Sequence, residues 1–274
     1  MEWHIEADLP AFGHRVMPWL ERDPVRNTVQ ATVLRARLEG LVDPEPPWLA
    51  WLGDGGEVAG VAVQTPPRGI LLSPLPSGAA RALAAVVPPA LPGAAGPPAE
   101  VEAFTTAYAE RIGARPTVAV RQRLFRLDRV VPHPPVPGRL REAKEADVER
   151  VLRWLVAFAV EAHTPAGADA GIARRAVDQR RALLWEVGGE PVSLVGHTAA
   201  VAGVPRVGPV YTPPEHRRRG YAGAATAATC ARLLERGART VVLFADRANP
   251  TATGVYRRIG FDPVGDHDDW ALEY

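Results

Sequence analysis

Six consecutive residues, Arg217-Arg218-Arg219-Gly220-Tyr221-Ala222, set three positive charges beside a glycine at the start of an alanine-rich run. A helix opening there aims its unpaired backbone N–H groups, and the positive end of its dipole, at one point. Such an arrangement holds anions, phosphate above all. Gly220 has no Cβ, so a ligand can approach its backbone closely. Ala222, Gly223, Ala224 and Ala225 keep the adjoining helix face thin, and Arg217, Arg218 and Arg219 add charge. Neither G-x-x-x-x-G-K-[ST] nor G-x-G-x-x-G occurs, so the turn is neither a P-loop nor a dinucleotide fingerprint. Taken alone, the same residues also suit a solvated basic turn that only caps a helix.

Downstream, Asn249-Pro250 marks a second helix start, with asparagine as cap and proline at the first position. Tyr256 stands seven residues past Asn249, two turns along one face, so both can point at one cleft. The alternative use of Tyr256 is a core aromatic, and of Asn249 a plain cap. Cys230 lies inside the alanine-rich helix, where it suits packing better than chemistry. Asp266-His267-Asp268-Asp269 resembles a metal cluster only in composition. Adjacent side chains alternate in direction and cannot converge on one ion. That stretch reads as a solvated hairpin turn, and no metal is expected.

These groups need elements to position them. In the second half, residues 138–143 read as a short strand. Val148, Val151, Leu152, Leu155 and Ala159 recur at spacings of three and four, which predicts an amphipathic helix over 145–161. A second helix covers roughly 169–182. The runs 183–187 and 192–200 form a hairpin around Gly188-Gly189. Residues 206–212 make a fourth strand, stopped by Pro213 and Pro214. The helix after the basic turn runs to about Glu235, with Gly237 as its stop. A buried strand over 240–246, a short helix over 250–259 and a closing pair of strands over 261–274 complete the half.

The densest proline run, Val130–Leu140, separates two patterned regions and suggests domains at 1–132 and 133–274. The halves look related. Trp51 opens a strand, Gly-Gly turn, strand pattern, and Trp185 opens another 134 residues later (185 − 51). A tandem duplication of one α/β unit follows. At that offset the basic turn has no counterpart, because residues 82–90 read ALAAVVPPA. Trp3, Trp19, Trp48 and Trp51 give the first half large apolar surface for its core, an interface or an acceptor pocket.

Composition bounds the partners. A net charge of +1 offers no global field for nucleic acid, so any anion site is local. With 47% hydrophobic and 23% charged residues the chain can bury a sizeable core. One cysteine excludes an internal disulfide framework. The N-terminus has no apolar signal region, and no run of about 18 apolar residues suggests a membrane span. The expectation is a cytoplasmic protein without nucleic-acid or membrane partners.

The stretch from Val210 through Arg217-Arg218-Arg219-Gly220-Tyr221-Ala222, with the later Asn249, Tyr256 and Gly260-Phe261, resembles the GCN5-related N-acetyltransferase (GNAT) family. The match is to its R/Q-x-x-G-x-G/A motif and its later N…Y…GF block, and it covers residues 139–274 in order and spacing. The resemblance implies an α/β (α+β) fold of two tandem domains, each a mixed, mostly antiparallel twisted sheet flanked by helices, the first a degenerate copy. It implies an acetyl-CoA-dependent N-acetyltransferase that transfers acetyl directly to a primary amine of a small molecule or peptide. Val210, Tyr211 and Thr212 would then hold the pantetheine arm through main-chain hydrogen bonds. Arg217, Arg218, Arg219, Gly220, Tyr221, Ala222 and Gly223 would surround the pyrophosphate. Asn249 would bond the pantetheine arm, and Tyr256 would protonate the departing thiolate. A strand N–H beside the thioester would stabilise the tetrahedral oxyanion.

The chain departs from the pattern at Phe244, where some members carry a glutamate base. Asp246 stands near but faces elsewhere by strand alternation. The base is therefore open among Glu186, His197, Glu161, His163 and the Tyr274 carboxylate, or is a water, or is unneeded for a neutral amine. A catalytically silent acyl-CoA-binding sensor is the alternative function, and an interaction module without cofactor a third. A monomer or a homodimer is expected.

Overall fold

The computed structural model describes residues 1–41, 45–162 and 169–274. The first half runs β1 (Glu2–Glu6), α1 (Leu9–Leu20), α2 (Thr28–Leu38), β2 (Trp48–Asp54), β3 (Glu57–Gln64), β4 (Ile70–Leu72), α3 (Ala79–Val86), β5 (Gly93–Gly96), α4 (Pro98–Ile112) and β6 (Arg115–Leu127). The second half repeats that order: β7 (Arg139–Glu142), α5 (Val148–Glu161), α6 (Ala170–Asp178), β8 (Ala182–Val187), β9 (Glu190–His197), β10 (Val207–Tyr211), α7 (Tyr221–Glu235), β11 (Val241–Asp246), α8 (Pro250–Ile259) and β12 (Asp262–Glu273). Single 3₁₀ turns precede α5 and α7.

The duplication is visible in detail at the hairpins. Gly55-Gly56 and Gly188-Gly189 both take positive φ, at +56° and +90° and at +59° and +88°. Only such residues close a two-residue turn that follows the strand twist. Each hairpin also carries a register shift at the third residue before its turn, at Leu52/Gly53 and Trp185/Glu186. Leu52, not Trp51, is thus the counterpart of Trp185.

Chain contacts divide into two units. The first comprises Met1–Leu124, Asp246–Ala248 and Val264–Tyr274; the second comprises Phe125–Ala245 and Asn249–Pro263. A boundary at 132/133 had put the C-terminal segment in the second. In the first unit β1 to β5 lie in sequence order, followed by β12 and then β6. The residues 261–274 were expected to form a pair of strands, but they form one long strand. Asp266-His267-Asp268-Asp269 lies inside it, not in a turn. Asp266 accepts from Arg123 at 2.7 Å and pairs with Arg247 at 3.1 Å, so distant arginines let an acidic run enter a sheet.

The second unit is built on the antiparallel sheet β10-β9-β8-β7. Alternation, reset at Val192 by the register shift, sorts its residues. Trp185, Val192 and Val195 join Ala224, Ala225 and Cys230 of α7 in one cluster. Leu184 and Leu194 join Val148 and Val151 of α5 and Val177 of α6 in another. The last residues of β6 lie beside β11, where Thr240 Oγ1 donates to Leu127 O at 3.0 Å. The predicted helix at 145–161 begins as a 3₁₀ turn at Glu145–Asp147, and α6 is shorter than expected, ending at Asp178. Among the described residues no helix is long and apolar enough to cross a membrane.

Candidate functional site

β10 is an edge strand that pairs with β9 at Val207↔His197, Val210↔Val195 and Tyr211↔Leu194, with a bulge between Val207 and Val210. Its other edge meets β11 only at the root. Arg206 bridges Val242 in parallel, and the Val242 N–H donates to Pro205 O at 3.1 Å. Beyond that root no ladder joins β10 to β11 among the described residues. Ser193 Oγ donates to Tyr211 O at 3.1 Å, so the Tyr211 carbonyl faces β9. Strand alternation then turns the N–H of Val210 to the open edge.

β10 leads into the basic turn. Arg218 and Gly220 both take left-handed φ, +64° and +81°, with Arg219 between them. Alternation of this kind turns successive N–H groups toward one concavity. A non-glycine residue held there costs roughly 1–3 kcal/mol. Gly220 is the N-cap of α7, and no side chain caps the helix. The first bond of the helix is from Ala224 N–H to Gly220 O at 3.0 Å. The N–H groups of Tyr221, Ala222 and Gly223 therefore point out of the helix end. The Tyr221 ring itself is buried in the core, so only its backbone serves the turn. Arg218 and Arg219 are exposed and pair with no carboxylate among the described residues.

Arg217 does something else. Its Nη2 donates to both carboxylate oxygens of Glu161, at 2.8 and 2.7 Å, and its Nε donates to Thr212 O at 2.8 Å. It braces the turn against the end of β10 and of α5, and its charge is neutralised there. Tyr211 sits under the same brace, its ring 6.2 Å from that of Trp154 and its hydroxyl 3.5 Å from Glu161. Burial, reinforced by Glu161, holds the Tyr211 hydroxyl above its ordinary pKa. Sequence spacing could not reveal this corner, because Glu161 is remote in the chain.

Asn249 caps α8, its Oδ1 accepting the Ala252 N–H at 3.0 Å, which leaves the amide nitrogen as donor. Tyr256 lies on the same helix, edge-on to Phe261 at 5.9 Å. Burial pushes its hydroxyl up to about 12, with Cys230 a lesser contributor. It stays protonated at any physiological pH and can donate a hydrogen bond. Burial also raises the Cys230 thiol, which fits a packing cysteine.

The base candidates fare poorly. Glu186 accepts from Arg141 at 2.5 Å and from Arg139 at 3.1 Å, and these two arginines hold it below the usual carboxylate range. It is a weak base, on β8, two strands from the open edge. That corrects its candidacy: it belongs to a structural network in which Arg141 also bonds Asp147. His197 lies at the closed root opposite Val207, beside Pro205, Leu233 and Gly237, and burial lowers its pKa. Glu161 is held by Arg217. Asp246 accepts the Ala248 N–H at 2.8 Å and shapes a turn. Tyr274 packs in the first unit, its phenol donating to Leu91 O at 2.6 Å. His163 lies outside the described residues. Among the described residues no group of three or more His, Cys, Asp or Glu is arranged to hold a metal.

The first unit shows what the second has kept. There β4 and β5 pair as a parallel ladder, Ile70↔Ala94 and Leu71↔Ala95. A Cβ on Gly69 would fall 2.5 Å from Gly93 O, so the backbones touch at the start of this ladder, which then continues where β10 and β11 diverge. The basic turn does have a partner: Gly78, with φ +80°, caps α3 as Gly220 caps α7. Gly78-Ala79-Ala80 keeps the G-x-A, and the arginines are gone. The sequence offset missed it because the spacing is 142 residues here (220 − 78), not 134.

Two copies of one α/β unit, one with a splayed strand pair and a donor-lined helix start, define a tandem acetyltransferase-type fold. Residues 148–261 match the model of the Acetyltransferase (GNAT) family. The family is one of acetyl transfer. A Drosophila protein of 14% identity shares the fold with a TM-score of 0.69, over 99% of this chain and 98% of its own. A GCN5-related N-acetyltransferase from Sphaerobacter thermophilus has 18% identity and a TM-score of 0.64, over 98% and 95%. A tandem GNAT protein from the clavulanic acid biosynthesis pathway has 14% identity and a TM-score of 0.59, over 99% and 98%. No curated protein matches the chain.

Proposed function

We propose that the second unit binds acetyl-CoA between β10 and β11 and transfers its acetyl group directly to a primary amine of a small molecule or peptide. The observation that carries this is the parting of β10 from β11 beyond the Arg206↔Val242 bridge, next to the free N–H groups of α7. An open strand edge takes an extended ligand by main-chain hydrogen bonds. The pantetheine arm is such a ligand, and Val210, Tyr211 and Thr212 line its path, with Asn249 on the facing side. The diphosphate sits on Arg218, Arg219, Gly220, Tyr221, Ala222 and Gly223. The amine nitrogen attacks the thioester carbon, and the Val210 N–H receives the oxyanion. The C–S bond then breaks, Tyr256 gives its phenolic proton to the departing thiolate, which leaves as the free thiol, and the phenolate regains a proton from water. The amine loses its proton to water.

The second reading is a silent acyl-CoA-binding protein. It is favoured by Phe244 and by the pairing of Glu186 and Glu161 with arginines. Titration calorimetry of acetyl-CoA into the wild type and Gly220→Glu, followed by thiol release with an amine panel, separates the readings. Micromolar binding lost in the variant, with thiol release, supports the enzyme. Binding without turnover supports the sensor. No wild-type binding refutes both.

A further inference from the structure

The proline run that reads as a linker has no part in the reaction just described, yet it is anchored at both ends within the second unit. The Val131 N–H donates to Ile259 O, at the end of α8, at 2.7 Å. Trp185 Nε1 donates to Pro137 O at 2.9 Å. Val130 and Val136 pack on the cluster that includes Tyr221 and Ala224. Pro132, Pro134, Pro135 and Pro137 restrict the backbone between these anchors. The run is a strap across the first turn of α7.

His133 lies against that turn. A Cβ on Gly223 would fall 2.5 Å from its Nε2, and one on Gly220 3.7 Å from its Cε1 and 3.0 Å from Val136 Cγ1. Its Nδ1 is 2.7 Å from Pro134 O. A carbonyl oxygen only accepts, so Nδ1 carries the hydrogen and Nε2 is the nitrogen turned to the helix. Gly223 therefore makes room for an imidazole beside its backbone.

We propose that His133 is a diphosphate-binding residue of the acyl-CoA site, presented by the proline strap beside the free N–H groups of Tyr221, Ala222 and Gly223. The inference rests on the second unit being that site. With Nδ1–H committed to Pro134, Nε2 is the ring nitrogen left for a phosphate oxygen, to which the imidazolium form donates its second N–H. Arg218 and Arg219 are long, exposed side chains that lose freedom when they bind. The strapped imidazole is already oriented and loses less.

The test compares wild type, His133→Ala and His133→Phe in the full chain, by calorimetry with acetyl-CoA and with S-acetyl-pantetheine, which lacks the diphosphate. A hydrogen bond to a charged group sets the expected loss: acetyl-CoA weakens about tenfold in both variants. S-acetyl-pantetheine stays within about twofold. His133→Phe keeps the packing volume, so it separates ligation from wall. Acetyl-CoA binding at wild-type strength in His133→Phe, or equal weakening of both ligands, overturns the proposal. Wild-type protein that binds neither ligand refutes the acyl-CoA site itself.

Discussion

Gly223→Ala measures the contact between the strap and α7 in units of stability. Inside a helix, alanine in place of glycine normally adds up to about 1 kcal/mol. Here the new Cβ would lie 2.5 Å from His133 Nε2, 3.0 Å from its Cδ2 and 3.4 Å from Val255 Cγ1. The first two distances cannot be held, so the imidazole must swing out. It then forfeits the 2.7 Å bond from Nδ1–H to Pro134 O, about 1 kcal/mol, and its packing on α7. The two effects oppose, and Gly223→Ala should be neutral to about 1 kcal/mol destabilising. In a His133→Ala background nothing is displaced, and the same change should recover its gain of about 1 kcal/mol. The cycle therefore predicts a coupling of about 1–2 kcal/mol between residues in contact. Thermal melts of the four proteins report it, as a domain of this size moves about 2–4 °C per kcal/mol. A stabilisation of the same size in both backgrounds would refute the packing of His133 on the turn.

Three further outcomes follow from the same geometry. Tyr256→Phe should lower kcat about 10- to 100-fold with acetyl-CoA affinity nearly unchanged. Because burial lifts that hydroxyl to about 12, the wild-type rate should rise with pH as the amine deprotonates, without turning down below about pH 10; a falling limb near pH 8 that disappears in the variant would count against the role. Arg141→Met removes the cation that holds Asp147 and Glu186 below the usual carboxylate range, so wild type should melt higher at neutral pH, and the gap should close as pH falls below about 4 and the carboxylates protonate; an equal gap at pH 3 would contradict the pairing. Gly78→Glu, the first-unit counterpart of Gly220→Glu, should leave the acetyl-CoA dissociation constant within about twofold, since β4 and β5 leave no cleft beside it; calorimetry decides.

The parts of the fold that were legible in the sequence are those fixed by local chemistry. Gly220, Asn249-Pro250 and Gly237 mark helix ends because capping needs only neighbouring residues, and α7 and α8 lie where those marks put them. The hairpins are legible because paired glycines at positive φ have few other uses. The pairing of Arg217 was not legible because its partner Glu161 is 56 residues away, and a local pattern shows charge without showing where it is spent. The acidic run in β12 was misread for the same reason. Asp266 is 143 residues from Arg123, and without that arginine a carboxylate in a strand argues for a turn. The proline run reads as a domain boundary, since proline content shows extension but not what the extended chain lies on.

The contrast between the two units bears on why the open edge persists. Unpaired N–H and C=O groups on a strand edge are a liability, and the simplest remedy is to pair them. The first unit has done so. Its β4 is three residues long without a bulge, Gly69 and Gly93 let the backbones touch, and the parallel ladder is closed. In the second unit the same closure stops at the root. The bulge between Val207 and Val210 breaks the register of β10, and beyond the Arg206↔Val242 bridge no ladder follows among the described residues. Main-chain groups of β10 past that point are left without a partner in β11. A chain that closed one such edge by an ordinary ladder and left the other open needs a partner for the open one, and a ligand running parallel to the strand supplies it. The arginines point the same way: they are absent before Gly78, where the edge is closed, and present before Gly220, where it is open. Open edge and basic turn thus occur together and are lost together, as two contacts of one elongated anion would be.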